Sequence, residues 1–126
     1  MMKFPYIYSW DKLFPMIPIK LSFGKGKIKT EALVDSGANI SIFQKNIAEY
    51  LGIKIEEGKS ISLQGVGAKI RGYIHQVILE VDRVKFSCKI VFSNKLTTSV
   101  NILGREDFFE HFEVTFNEKK KYLILK

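Results

Sequence analysis

Cysteine, histidine and proline are scarce in this chain, and each scarcity closes off a class of protein. Cys88 is the only cysteine, so no internal disulfide can staple the fold, and that usage suits a reducing, cytoplasmic setting. The two histidines, His75 and His111, stand far apart and beside a single cysteine they offer no metal-binding spacing. No metal and no cofactor is expected. Long apolar runs are missing too: the opening MMKFPYIYSWDKLFPMIPIK is broken by Asp11, Lys12 and the prolines Pro5, Pro15 and Pro18 before a membrane span or signal core can form. Neither an export signal nor a membrane span is expected.

Acidic residues are the scarcer charge, 13 against 20 Lys and Arg, for a net charge of +7. Such a balance raises the question of an anionic partner. The lysines are dispersed, however. Lys25, Lys27 and Lys29 alternate along one predicted strand and Lys119, Lys120 and Lys121 occupy a predicted turn, which is how solvated faces are built. No interleaving of basic and aromatic residues marks an RNA-binding surface, so no nucleic-acid partner is expected.

What remains is an ordinary globular composition, 46% hydrophobic and 26% charged with ten Phe and five Tyr. The 126 residues fit one domain, 1–126, with residues 1–15 as an N-terminal extension whose role the sequence leaves open. Alternating and β-branched runs dominate. MIPIKLSF at 16–23, a glycine-bearing turn and KIKTEALV at 27–34 predict a hairpin whose second strand leads straight to Asp35. NISIF at 39–43 predicts a short strand, and Ile47, Ala48 and Leu51 before Gly52 predict a short helix over 44–51. KSISLQ, Gly65, Gly67 and AKIRGYI predict a hairpin with a glycine tip; strands at 76–81 and 84–92 follow, then VNIL at 100–103. REDFFEHF predicts a helix of two turns, with Phe108, Phe109 and Phe112 in the core, and EVTFN with KYLILK a closing hairpin. The chain is expected to be mostly β, with two short helices and no repeat or linker.

The chemistry concentrates at Ala32-Leu33-Val34-Asp35-Ser36-Gly37-Ala38, where an apolar strand runs without a break into a carboxylate, a hydroxyl and a glycine. Asp-Ser-Gly alone is common turn chemistry, and roughly one chain in twenty of this length contains Asp-(Ser or Thr)-Gly by chance. The tripeptide therefore carries weight only through its context. Ser36 as a nucleophile would need a histidine base, and neither His75 nor His111 has the surroundings of one. Gly65-Val66-Gly67 lacks the following helix that phosphate cradles use, so it reads as a hairpin tip. Cys88, inside an alternating strand, reads as a small buried hydrophobe.

In three places, and in the family's order, the chain resembles retropepsins and their cellular relatives. Leu33-Val34-Asp35-Ser36-Gly37-Ala38 is similar to their catalytic loop, Leu63-Gln64-Gly65-Val66-Gly67-Ala68 to their flap, and Ile102-Leu103-Gly104-Arg105 with Phe108 to the Gly-Arg element before their C-terminal helix. The resemblance implies a single-domain retropepsin-like acid protease fold, a closed barrel-like sheet with a flap hairpin and one or two short helices. It implies Asp35 as the catalytic carboxylate, Ser36 and Gly37 as active-site loop support, and Gly37, Ala38, Asn39, Gly65, Val66 and Gly67 as the lining around a peptide or protein substrate. Gly104 and Arg105 become a structural clamp.

The mechanism so implied needs two carboxylates sharing a proton, one to draw a proton from water and one to polarise the scissile carbonyl. Asp11, Asp82 and Asp107 are not followed by Ser-Gly or Thr-Gly, so the second carboxylate is expected from Asp35 of another chain, in a homodimer. Asn39 stands where retroviral enzymes often carry an Asp that pairs with the arginine, which leaves the partner of Arg105 open. The expected function is a homodimeric aspartic endopeptidase; the alternative is a non-enzymatic module of the same fold that dimerises or binds peptide.

Overall fold

The computed structural model describes residues 1–65, 67–96 and 98–126. The chain forms strands β1 (Met2–Pro5), β2 (Ile7–Ser9), β3 (Lys12–Phe14), β4 (Met16–Phe23), β5 (Gly26–Val34) and β6 (Ser41–Ile42), then helix α1 (Lys45–Leu51). Strands β7 (Lys59–Gly65), β8 (Ala68–Val81), β9 (Val84–Phe92), β10 (Ile102–Leu103), β11 (Val114–Asn117) and β12 (Tyr122–Leu125) complete it. No helix among the described residues is long and apolar enough to cross a membrane.

Six strands close into a barrel in the order β4-β5-β10-β6-β9-β8, with β8 returning to β4 through Lys20↔Glu80, Leu21↔Leu79 and Ser22↔Ile78. Closure leaves β7 as the outermost strand, paired only with β8. The two-residue period of the sequence sets which face turns inward: Ile17, Ile19 and Leu21 from β4, Val77, Leu79 and Val81 from β8, and Cys88 and Ile90 from β9 are all essentially inaccessible. Each of the larger of these side chains contributes about 1.5–3 kcal/mol on burial. Pro18 lies within β4 but before β8 joins the strand's second edge at Lys20, so its missing N–H costs no ladder bond.

Helix α1 is too short to persist alone. It holds because Ile47, Ala48 and Leu51 are buried against the barrel, and because Asn101 Oδ1 accepts the Gln44 N–H at its start, at 3.0 Å. A separate three-stranded sheet, β1-β12-β11, joins the two ends of the chain, with Met2↔Leu125 through Pro5↔Tyr122 in register. Leu123, Leu125 and Tyr6 connect that sheet to the main core.

Two expectations need correction. The predicted break between a strand at 68–74 and another at 76–81 is absent: β8 runs through His75, whose Nε2 lies 2.8 Å from the Ile55 carbonyl and whose ring sits between Phe23 and Phe92. A buried histidine with a partner no longer interrupts a strand. The predicted two-turn helix over REDFFEHF is instead a run of turns followed by one 3-10 turn, Phe109–His111. Asp107 adopts φ +67°, which an α-helix does not admit. Phe108 is nevertheless fully buried, with Phe109 and Phe112 packed at the core's edge.

Candidate active site

Asp35 stands one residue beyond β5, and the strand's last residues are held from both sides. Val34 N–H donates to the Pro15 carbonyl at 2.9 Å, Leu33 N–H to Asn101 at 2.8 Å and Asp35 N–H to Leu103 at 3.0 Å. Strand β10 runs parallel to β5 and antiparallel to β6, so it lies between them and residues 35–40 must arch over its end. That arch is the segment whose sequence resembles the retropepsin catalytic loop.

The loop is shaped by its own backbone. Gly37 N–H donates to Asp35 Oδ1 at 2.9 Å, and Ala38 N–H to the Asp35 carbonyl at 3.2 Å. The first bond engages one carboxylate oxygen and the second closes the loop's main chain; among the described residues the other carboxylate oxygen makes no hydrogen bond. Asp35 is half-buried, while Ser36, Gly37 and Asn39 are exposed. The carboxylate therefore sits on open surface, rimmed by polar main chain.

Residues 104–106 suture the far side of the arch. Arg105 N–H donates to the Ala38 carbonyl at 2.9 Å and Glu106 N–H to Asn39 at 2.8 Å. Gly104 passes so close that a Cβ there would lie 2.4 Å from the Ile40 backbone, and its N–H donates to the buried Ser41 Oγ at 3.0 Å. Only glycine fits. Gly104 and Arg105 thus meet the loop through main chain, and among the described residues the exposed Arg105 guanidinium makes no hydrogen bond or ion pair. Arg105 and Asn39 share an open groove of about 430 Å³ with Glu106, Phe109 and Glu110.

Strands β7 and β8 continue past the barrel as a hairpin. Pairing of β8 with β9 ends at Tyr73↔Phe92, while pairing with β7 runs on to Gly65↔Ala68. The overhang is the hairpin that the sequence resemblance likens to a flap. Gly67 takes φ +85° at its tip, a conformation that favours glycine; Val66 lies outside the described residues.

The other titratable groups are engaged elsewhere. His111 stacks on Phe86 with its Nδ1 against the Asp107 carbonyl. Asp107 accepts the Lys89 N–H at 2.7 Å. Asp11 and Asp82 occupy the β2–β3 and β8–β9 turns with positive φ. Burial, then the nearby Asp107 carboxylate, pushes the Cys88 thiol up to about 12, against a weaker opposing contact from Ser41. No cluster of three or more His, Cys, Asp or Glu that could hold a metal occurs among the described residues. Ser41 and Asn101 are the supporting residues that sequence reasoning passed over: each is a single polar residue in an apolar stretch, and only its buried partners reveal its role.

A six-stranded closed barrel, a projecting hairpin and an Asp-Ser-Gly arch over a buried strand end define the retropepsin-like aspartic protease fold. The aspartyl protease family model matches residues 18–106, and the chain belongs to that family. Among solved structures, EIAV protease complexed with the inhibitor HBY-793 superposes with a TM-score of 0.61 at 18% identity, covering 83% of this chain and 93% of that one. At that identity the likeness concerns the fold. A search of curated proteins finds no match.

Proposed function

We propose that this chain is a homodimeric aspartic endopeptidase in which Asp35 of each protomer supplies one half of the catalytic pair. The observation that carries the reading is the Asp35 loop itself: one carboxylate, oriented by the Gly37 N–H, half-buried at an open surface, with Asp11, Asp82 and Asp107 all placed in turns elsewhere. Two such loops facing across a twofold axis bring two carboxylates together. Two carboxylates brought side by side in this way share a proton in the mechanism, because adjacent negative charges repel. The ionised member takes a proton from water as it attacks the peptide carbonyl, and the protonated member donates to the carbonyl oxygen.

Substrate binding follows from the same parts. An extended peptide lies between the paired loops and the flaps, meeting the Gly37 carbonyl and the side chains of Ala38 and Asn39 below and residues 65–67 above. Ser36 lies beside the neighbouring loop and ties the two protomers' arches together. The family match and the neighbour's fold support the peptidase class.

The test is cleavage of a mixed peptide library between about pH 4 and 7, with and without a statine-type transition-state mimic, alongside molecular mass in solution. Asp35→Asn is expected to fold and dimerise with activity reduced by about 10³-fold or more, in the range that loss of a catalytic group costs. Normal cleavage by Asp35→Asn would remove the assignment. A folded dimer that binds peptide but turns over none would support the non-enzymatic module.

A further inference from the structure

Among the described residues, strands β2 and β3 pair only with each other. Two-stranded hairpins are marginal by themselves, yet this one is well organised. Its turn, Trp10-Asp11, has φ of +49° and +61°, the two-residue geometry that matches strand twist. Tyr8 donates to Asp11 Oδ1 at 3.1 Å, and Trp10 packs edge-on against Phe14 at 6.5 Å. Three of its large side chains nevertheless face solvent, Tyr8 at 65% exposed, Trp10 at 64% and Leu13 at 42%, while Ile7 and Phe14 are half-buried.

We propose that the β2–β3 hairpin is a dimerisation arm, covered by a second copy of this chain when the two Asp35 loops come together. The proposal rests on the homodimeric reading above and names the surface that builds the dimer. Position is the first argument. The arm is rooted at Pro15, whose carbonyl is hydrogen-bonded to Val34, the residue before Asp35. A twofold axis that pairs the carboxylates therefore passes on the order of 10 Å from that root, about the length of one three-residue strand. A partner docking on the Asp35 loop arrives beside the arm.

Charge and area agree with that occupant. Two copies at +7 repel, so their contact belongs on locally neutral surface. The hollow beside the arm, about 630 Å³, balances Asp11 and Glu118 against Lys12 and Lys121 around Tyr8, Leu13 and Phe14. The exposed parts of Tyr8, Trp10 and Leu13 amount to roughly 300 Å² per protomer, a substantial share of the ~800 Å² per partner in a stable interface. In the terminal sheet both edges of the central strand β12 are occupied, by β1 and β11 of the same chain, so a partner there could add only to an outer edge.

Trp10 is the only tryptophan, so the unmodified protein reports on its own arm. A dilution series is followed by sedimentation and by tryptophan emission, with the triple variant Tyr8→Thr, Trp10→Asn, Leu13→Thr measured by sedimentation, circular dichroism and peptide cleavage. The expected result is an emission maximum that moves to shorter wavelength in step with dimer formation. The folded variant should then dissociate about 30-fold or more readily, as for interface anchors, and regain cleavage at high protein concentration. A dimer whose Trp10 emission stays that of exposed indole, or a variant that dimerises as tightly as the parent, overturns the arm and leaves the protease reading standing. A protein that is monomeric at every concentration overturns both. A dimer that buries Trp10 but cleaves nothing keeps the arm and removes the peptidase.

Discussion

At the scale of single residues, Gly104 is among the most tightly constrained positions. A methyl group there would meet the Ile40 carbonyl carbon and oxygen at 2.4 Å, and the obstacle is backbone that cannot rotate away. Gly104→Ala must therefore separate the 104–106 segment from the Asp35 arch, breaking the bonds from Arg105 and Glu106 to Ala38 and Asn39. The expected cost is about 2–3 kcal/mol of stability, the range for overpacking a rigid site, read as a lower denaturation midpoint. Because the arch carries Asp35, turnover should also fall in whatever fraction remains folded. Gly24→Ala is the control: it has φ +55° but nothing within 4 Å, so it should show only the milder backbone strain and leave turnover unchanged. The sequence displayed Asp35 and Gly104 as residue types but not the contact that makes Gly104 obligatory, because that contact joins positions 64 apart (104 − 40).

Among elements, legibility followed the range of the interactions that form them. The β4–β5 hairpin, α1 with its Gly52 stop, and the β11–β12 hairpin were readable because period and turn residues are local signals. The 105–112 segment was misread because its apolar spacing suits a helix, while a distant strand decides its conformation. Asp107 Oδ2 accepts the Lys89 N–H just beyond the point where β6 stops pairing with β9, so a side chain extends the ladder that the short strand leaves unfinished. To reach it the backbone turns left-handed and ends any helix. Asp107→Ala should cost about 2 kcal/mol, roughly one hydrogen bond plus one left-handed residue without a polar side chain. Asp107→Asn keeps an acceptor and tolerates positive φ, so it should cost less than half as much by chemical denaturation. Equal costs for both variants would show that charge, rather than geometry, matters there. The role of residues 1–15 was not readable at all, since β1 is defined by β12 at the opposite end of the chain.

The whole molecule responds to pH through the same core. The Cys88 thiol, pushed up to about 12 chiefly by burial, ionises later in the folded chain than in the unfolded one. The folded state then holds a proton that the unfolded state has released, so this contribution is complete below about pH 9 and is lost as pH climbs toward 12, at up to about 1.4 kcal/mol per pH unit. Stability measured across that window should fall less steeply in Cys88→Ala, and the native thiol should resist alkylation at pH 8 until the protein unfolds. The catalytic reading makes its own demand at this scale, because one chain carries half of a site. If equal amounts of wild-type and Asp35→Asn chains are unfolded together, refolded and assayed at constant total protein, random pairing gives about one quarter of dimers two aspartates. Activity should fall to about that quarter when mixed dimers are inert, whereas chains that act alone would retain about one half. The refolding step matters, since preformed dimers that exchange slowly would also read one half. An outcome near one half after full exchange would require a complete active site within each chain, which a single Asp-Ser-Gly loop does not supply.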